Sequence, residues 1–174
     1  MTLNSFQFNT TPGLRYGSGQ AKDSCKEISN KLGQSILFIT DKGLMSLGLT
    51  EQTLKELKKI SSVEIFDDVE ADPSKKTLLK AIEVGKKIKA TGVIGFGGGS
   101  SMDVAKLTAL ILGSGENLEE AWGVANAKGP RLPLVLIPTT AGTGSEVTPV
   151  SIITVGEEEK KGVSSSIILP DLAI

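Results

Sequence analysis

The chain alternates between short, uniformly apolar runs and longer stretches whose apolar positions recur at helical spacing. Ile36-Leu37-Phe38-Ile39, Val93-Ile94-Gly95-Phe96 and the run from Leu132 to Ile137 are continuous apolar segments, which predict strands buried on both faces. Val63-Glu64-Ile65-Phe66 predicts a further strand. Helical patterns fill the intervals. One leads from Gly17-Ser18-Gly19 through Ile28 and Leu32 to a stop at Gly33, and one covers 50–60 with Leu54 and Leu57 at helical spacing. Another opens at Asp72-Pro73-Ser74 and runs to Lys89 with an apolar stripe of Leu78, Leu79, Ile82, Val84 and Ile88, and the next starts at about Met102 and ends near Leu112. Buried strands alternating with helices predict an α/β domain: a Rossmann-like, doubly wound, mostly parallel sheet with helices on both faces. Ahead of it, Phe6 and Phe8 alternate with polar residues and precede the turn residues Thr11-Pro12-Gly13, predicting an N-terminal β-hairpin. No repeat or linker divides the chain, so 1–174 is expected to form one domain.

Composition narrows the chemistry. At 174 residues, 39% hydrophobic and 22% charged, the chain is long and apolar enough to bury a core without staples. A net charge of −1 supplies no general attraction to nucleic acid or membrane, and 4% aromatic residues leave little for base stacking. The single cysteine, Cys25, excludes an intrachain disulfide and a cysteine-based zinc site; in a helical stretch it reads as a small apolar residue. There is no histidine, which excludes histidine-based triads, histidine zinc sites and histidine acid–base catalysis. No basic start precedes an apolar run and no apolar run approaches the ~20 residues of a membrane span, so the expected compartment is the cytoplasm. Lys75, Lys76, Lys80, Lys86, Lys87 and Lys89 crowd one helix and read as its solvated face.

Two segments carry the candidate chemistry. Gly97-Gly98-Gly99-Ser100 lies between a buried strand and a helix, where glycines let the backbone approach a ligand and the helix start offers open N–H groups to phosphate. A plain tight turn would use the same residues, and the motif is neither GxGxxG nor a Walker loop. Asp103, just inside that helix, suits either the positive end of the helix or a cofactor. Asp41 follows the first buried strand, a place where turn chemistry alone commonly puts an Asp; a carboxylate there also suits ribose hydroxyls and repels a 2′-phosphate, which favours NAD over NADP. The second segment, from Pro138 to Thr148, also follows a buried strand; a Ser/Thr turn would use such residues, but the length and purity of the run of hydroxyls and glycines favour a loop lining a diphosphate and a ribose.

Gly-Gly-Gly-Ser-Ser-Met-Asp-Val-Ala-Lys at 97–106 and Ile-Pro-Thr-Thr-Ala-Gly-Thr-Gly-Ser-Glu-Val-Thr at 137–148 together resemble the iron-containing alcohol dehydrogenase family, in its N-terminal dinucleotide-binding domain. Phe38-Ile39-Thr40-Asp41, Lys160-Lys161-Gly162-Val163 and Leu169 to Ile174 fit as well, so the likeness runs over essentially the whole chain. The resemblance implies an NAD site. Asp41 would accept the adenosine ribose, and Gly98, Gly99 and Ser100 would hold the pyrophosphate with Asp103 supporting them. Thr139, Thr140, Thr143 and Thr148 would line the nicotinamide side, and Lys160 would lie near the cofactor ribose, with Lys161 as its substitute should the match slip by one. Asp72 departs from the family's usual Asn before Pro73 and cannot donate as an amide does.

The same resemblance implies a parent enzyme that interconverts a small alcohol and an aldehyde or ketone by hydride transfer. A divalent metal, iron or zinc, would polarise the substrate oxygen from an all-helical second domain. The metal-holding residues are expected beyond Ile174, whose apolar run reads as a cut, so the 174-residue chain alone is expected to be inactive and to hold no catalytic or metal-ligating residue of its own. A face left without that domain predicts self-association, as a dimer or another homo-oligomer. A stand-alone nucleotide-binding module and a relative of glycerol dehydrogenase or dehydroquinate synthase remain as alternatives.

Overall fold

The computed structural model describes residues 9–157 and 159–174. The hairpin expected around Phe6 and Phe8 lies outside the described residues; Leu14 that follows bridges to Ala173. In chain order the elements are α1 (Gln20–Asp23), α2 (Cys25–Leu32), β1 (Ser35–Ile39), α3 (Lys42–Ser46), α4 (Glu51–Leu57), β2 (Ser62–Phe66), α5 (Lys75–Lys87), β3 (Gly92–Gly97), α6 (Gly99–Ser114), α7 (Leu118–Ala121), β4 (Gly123–Val124), β5 (Leu134–Pro138), β6 (Val150–Val155), β7 (Glu159–Ser164) and β8 (Leu172–Ala173).

Five of these strands form one parallel sheet in the order β2-β1-β3-β5-β8. The apolar runs split by alternate residues onto its two faces. Ile36, Phe38, Ile94, Phe96, Val135 and Ile137 pack with Cys25, Ile28 and Leu32 of α2 and Leu54 and Leu57 of α4. Leu37, Ile39, Val93, Leu134 and Leu136 pack with α5 and α6 on the other face. Both faces being covered is why these strands carry no polar alternation. Strand order reverses between β1 and β3, and in such sheets the ligand crevice lies outside the carboxyl ends of the strands at that reversal. Asp41 follows β1 and the glycine run follows β3, so the topology places both at the crevice.

Several expected boundaries and faces shift. The helix expected from about Met102 begins three residues earlier, at Gly99, because extended Gly98 serves as its N-cap. The pattern through Leu32 divides at Ser24 into α1 and α2, and the stretch over 50–60 contracts to α4. Leu79 is not in the stripe of α5: it is exposed, and Thr77, Leu78, Ala81, Ile82 and Gly85 form the buried face. Its lysines 76, 80, 86 and 87, and Lys89 just beyond its end, are exposed, as a solvated face requires, while Lys75 is half-buried and paired with Glu119.

A second sheet, β4-β7-β6, went unpredicted. Its β6–β7 hairpin is antiparallel, pairing Thr154 with Lys160. It packs on the outer side of α6, contributing Ile153 and Val163 to the core. Enclosed by the main sheet, α5 and this hairpin, α6 is buried on nearly every side from Ser101 to Ile111. A helix enclosed in this way has no polar face to show water.

Candidate cofactor site

The two loops singled out in the sequence stand side by side. β3 and β5 pair with Gly97 opposite Pro138, and the Thr139 N–H donates to the Gly97 carbonyl at 2.9 Å. Gly97 turns the chain from strand to helix with φ 153°, and a Cβ there would lie 2.7 Å from Ser101 Oγ. Beyond it no side chain caps α6, so the first amides of a 16-residue helix have no side-chain acceptor at the strand tips. Gly98 faces Thr140 and Gly99 faces Thr143, each with the clearance of an ordinary contact for an added Cβ, at 3.6 and 3.4 Å. Open amides, the positive end of a long helix and a bare backbone together suit an anion such as a pyrophosphate.

Two clefts of about 490 Å³ each flank that helix start, and Ser100 belongs to both. One is lined by Asp41, Leu44, Glu70, Gly98, Thr139 and Thr140. Asp41 is the N-cap of α3: its Oδ1 accepts from the Leu44 N–H at 2.9 Å. The other cleft is lined by Asp72, Gly99, Asp103, Thr143, Thr148 and Lys160 among others. The four threonines therefore divide. Thr139 and Thr140 share a cleft with Asp41, whereas Thr143 and Thr148 share one with Lys160, not the single wall expected for all four. Lys160, on β7, reaches across to Asp72 at 2.6 Å, an exposed ion pair on the rim. Asp72 sits at φ 52°, so this pairing is made from a left-handed backbone. Lys161 does not line the cleft; it lies 3.9 Å from Glu159.

Asp103 turns inward, to the protein. Its Oδ1 accepts from Ser145 Oγ at 2.9 Å and its Oδ2 from the Ile152 N–H at 3.0 Å. Burial raises its pKa above the ordinary carboxylate value, against the opposing pull of the Ile152 amide, Lys106 and Ser145. It ties α6 to β6 and to the hydroxyl loop at once. Three residues on, Lys106 is wholly buried. Its ammonium donates to Ser145 Oγ at 2.9 Å, to the Thr148 carbonyl at 2.9 Å and to the Val150 carbonyl at 2.7 Å, with Asp103 Oδ1 4.0 Å away. Burial lowers its pKa from 10.5 to about 8, with Asp103 and Glu146 opposing the shift. The sequence reading assigned Lys106 no role of its own. Its signal was present: a lone charge within Val104-Ala105-Lys106-Leu107-Thr108-Ala109-Leu110, a helical stretch apolar on all sides, has to be buried and therefore partnered.

Among the described residues no group of three or more His, Cys, Asp or Glu is placed to hold a metal. With no histidine in the chain either, the residues here do not fit a catalytic metal centre. No described helix is long and apolar enough to cross a membrane.

Comparison with known proteins agrees with this architecture. The chain is 31% identical over 173 residues to a sulfoacetaldehyde reductase of Bilophila wadsworthia, covering 98% of this chain and 44% of that protein. It is 36% identical over 167 residues to long-chain-alcohol dehydrogenase 1 of Geobacillus thermodenitrificans, covering 94% and 42%. Among solved structures, a 1,3-propanediol oxidoreductase superposes with a TM-score of 0.93 at 28% identity over 98% of this chain and 45% of its own. A sulfoacetaldehyde reductase from Bifidobacterium kashiwanohense, solved in complex with NAD+, superposes with a TM-score of 0.86 at 29% identity over 98% and 46%. The chain thus spans less than half the length of these relatives. The family model for iron-containing alcohol dehydrogenases matches residues 12–174, and the chain belongs to that family.

Proposed function

We propose that this chain forms the NAD-binding portion of a dehydrogenase that interconverts a small alcohol and an aldehyde or ketone by hydride transfer. The observation that carries the reading is the uncapped, glycine-lined start of α6 at the junction of two clefts. The pyrophosphate lies over Gly98, Gly99 and Ser100, against open amides. Asp41 accepts the adenosine ribose with the carboxylate oxygen that does not cap α3, and its charge disfavours a 2′-phosphate. The nicotinamide half lies in the other cleft, between Thr143, Thr148 and Lys160. When bound, the cofactor supplies the hydride chemistry, while these residues hold and orient it.

The described residues offer no metal centre, so the chain's part is binding and orientation, and by itself it oxidises no alcohol. Relatives named as long-chain-alcohol and NAD-dependent methanol dehydrogenases support the reaction class without naming the alcohol. The working form is a cytoplasmic homo-oligomer. Calorimetry with NAD and NADP tests the reading: NAD binds and NADP binds more weakly. Equal or tighter NADP binding would remove Asp41 from the ribose, and turnover of ethanol or propanediol by the chain alone would overturn its assignment to binding only.

A further inference from the structure

Lys106 is 0% exposed, and the three N–H bonds of its ammonium meet three acceptors, Ser145 Oγ and the carbonyls of Thr148 and Val150. With every donor used, it has none to offer a ligand. All three acceptors fall in one six-residue stretch. Its last residue, Val150, begins β6 and pairs with Ser164 of β7; the residues before it lie outside any strand. Its internal backbone bonds, Val147 N–H to the Gly144 carbonyl and Thr148 N–H to the Ser145 carbonyl, are local. Among the described residues, 141–149 is tied to the rest of the molecule by hydrogen bonds from Lys106, the Ser145–Asp103 bond and one backbone bond, Ser165 N–H to the Pro149 carbonyl. The same stretch supplies Thr143, Ser145 and Thr148 to the cleft that holds Lys160, and it supplies nothing to the cleft that holds Asp41.

We propose that Lys106 is a positioning residue for the nicotinamide half of the cofactor: from inside α6 its ammonium fastens the 143–150 loop and so fixes one wall of one cleft while leaving the other alone. The inference rests on the dinucleotide reading above. Its consequence is a split within a single ligand. AMP, which needs only the Asp41 cleft and the helix start, is indifferent to the loop. NADH, which also fills the second cleft, depends on it.

The test is calorimetric titration of the chain and its Lys106→Met variant with AMP and with NADH. Methionine keeps much of the stem's length and removes the ammonium. AMP affinity stays within about twofold, whereas NADH weakens by roughly tenfold or more, as loss of charge-assisted hydrogen bonds to the wall implies. If Lys106→Met does not fold, Ser145→Ala replaces it; that variant removes one of the three Lys106 bonds together with the Ser145–Asp103 bond, both of which hold the same loop, and weakens NADH several-fold with AMP again unchanged. A parallel loss of AMP and NADH, or unchanged NADH affinity in a folded variant, overturns the inference. Failure of the unaltered chain to bind either nucleotide overturns the dinucleotide reading itself, and the positioning role with it.

Discussion

The two clefts beside the α6 start are alike in size and built by opposite means. The Asp41 cleft is assembled from strand tips and the turns that follow them: Asp41 caps the helix it begins, Gly98 and Ser100 continue β3, and Thr139 and Thr140 continue β5. Its residues are placed by elements within a few positions of them. The Lys160 cleft gathers Asp72, Asp103, Thr148 and Lys160 from four separate parts of the chain. One wall is the β6–β7 hairpin, and the other, the loop before β6, is held by long-range side-chain bonds from Asp103 and Lys106 some 40 residues away. The first cleft is a consequence of topology; the second depends on a few buried polar contacts, and is the more fragile.

That contrast can be broken most forcefully at Asp103. Asp103→Ala strips the Ile152 amide and Ser145 of their acceptor and leaves the Lys106 ammonium buried without its acid, an effect of about 3 kcal/mol on chain stability in urea unfolding. A urea midpoint unchanged within error would mean that the pair holds nothing. A comparable effect comes from pH. Lys106 has its proton affinity lowered by burial from 10.5 to about 8, so between those values the unfolded chain holds a proton that the folded chain has released. Stability from this group therefore rises with pH across that window, and the cost of burying the ammonium is fully present below it. The stability gap between the unaltered chain and Lys106→Met should move by about 2 kcal/mol in favour of the unaltered chain between pH 7.5 and 10, read by urea unfolding. A gap that is flat with pH would place the ammonium in contact with water.

On the other side of the comparison, Gly97→Ala puts a Cβ against Ser101 at φ 153° and is expected to destabilise the chain by about 2 kcal/mol while weakening every nucleotide alike, AMP included. Loss of NADH with AMP retained would reassign this turn to the second cleft. Asp41→Asn is milder. Asparagine still caps α3, so stability holds, but the preference for NAD over NADP falls about tenfold as the repelling charge goes. The smallest effect is expected at the rim: Lys160→Met breaks an exposed ion pair with Asp72 and changes stability by less than about 0.5 kcal/mol, so any larger loss of NADH affinity reports a direct contact with the cofactor.

The sequence by itself determined the parallel sheet, the glycine turn at the tip of β3 and Asp41 at the tip of β1. Each is written in contiguous residues: uniform apolar runs mark strands covered on both faces, and the glycine run marks a turn that at Gly97 leaves a side chain strained and without room. Only the tertiary structure decided that Thr139 and Thr140 part from Thr143 and Thr148. It alone also showed that Asp103 faces the protein, and that a second sheet closes over α6. Strand β7 has no apolar run to announce it, whereas β6, Val150-Ser151-Ile152-Ile153-Thr154-Val155, is rich in β-branched residues that mark a strand without saying which element it packs on. Lys106 stood in plain view as a charge among apolar neighbours, yet its partners lie 39 to 44 residues further on. Periodicity reports which face of an element is buried; it carries no information on which distant carbonyl a buried ammonium will meet, and that choice is made when the layers pack.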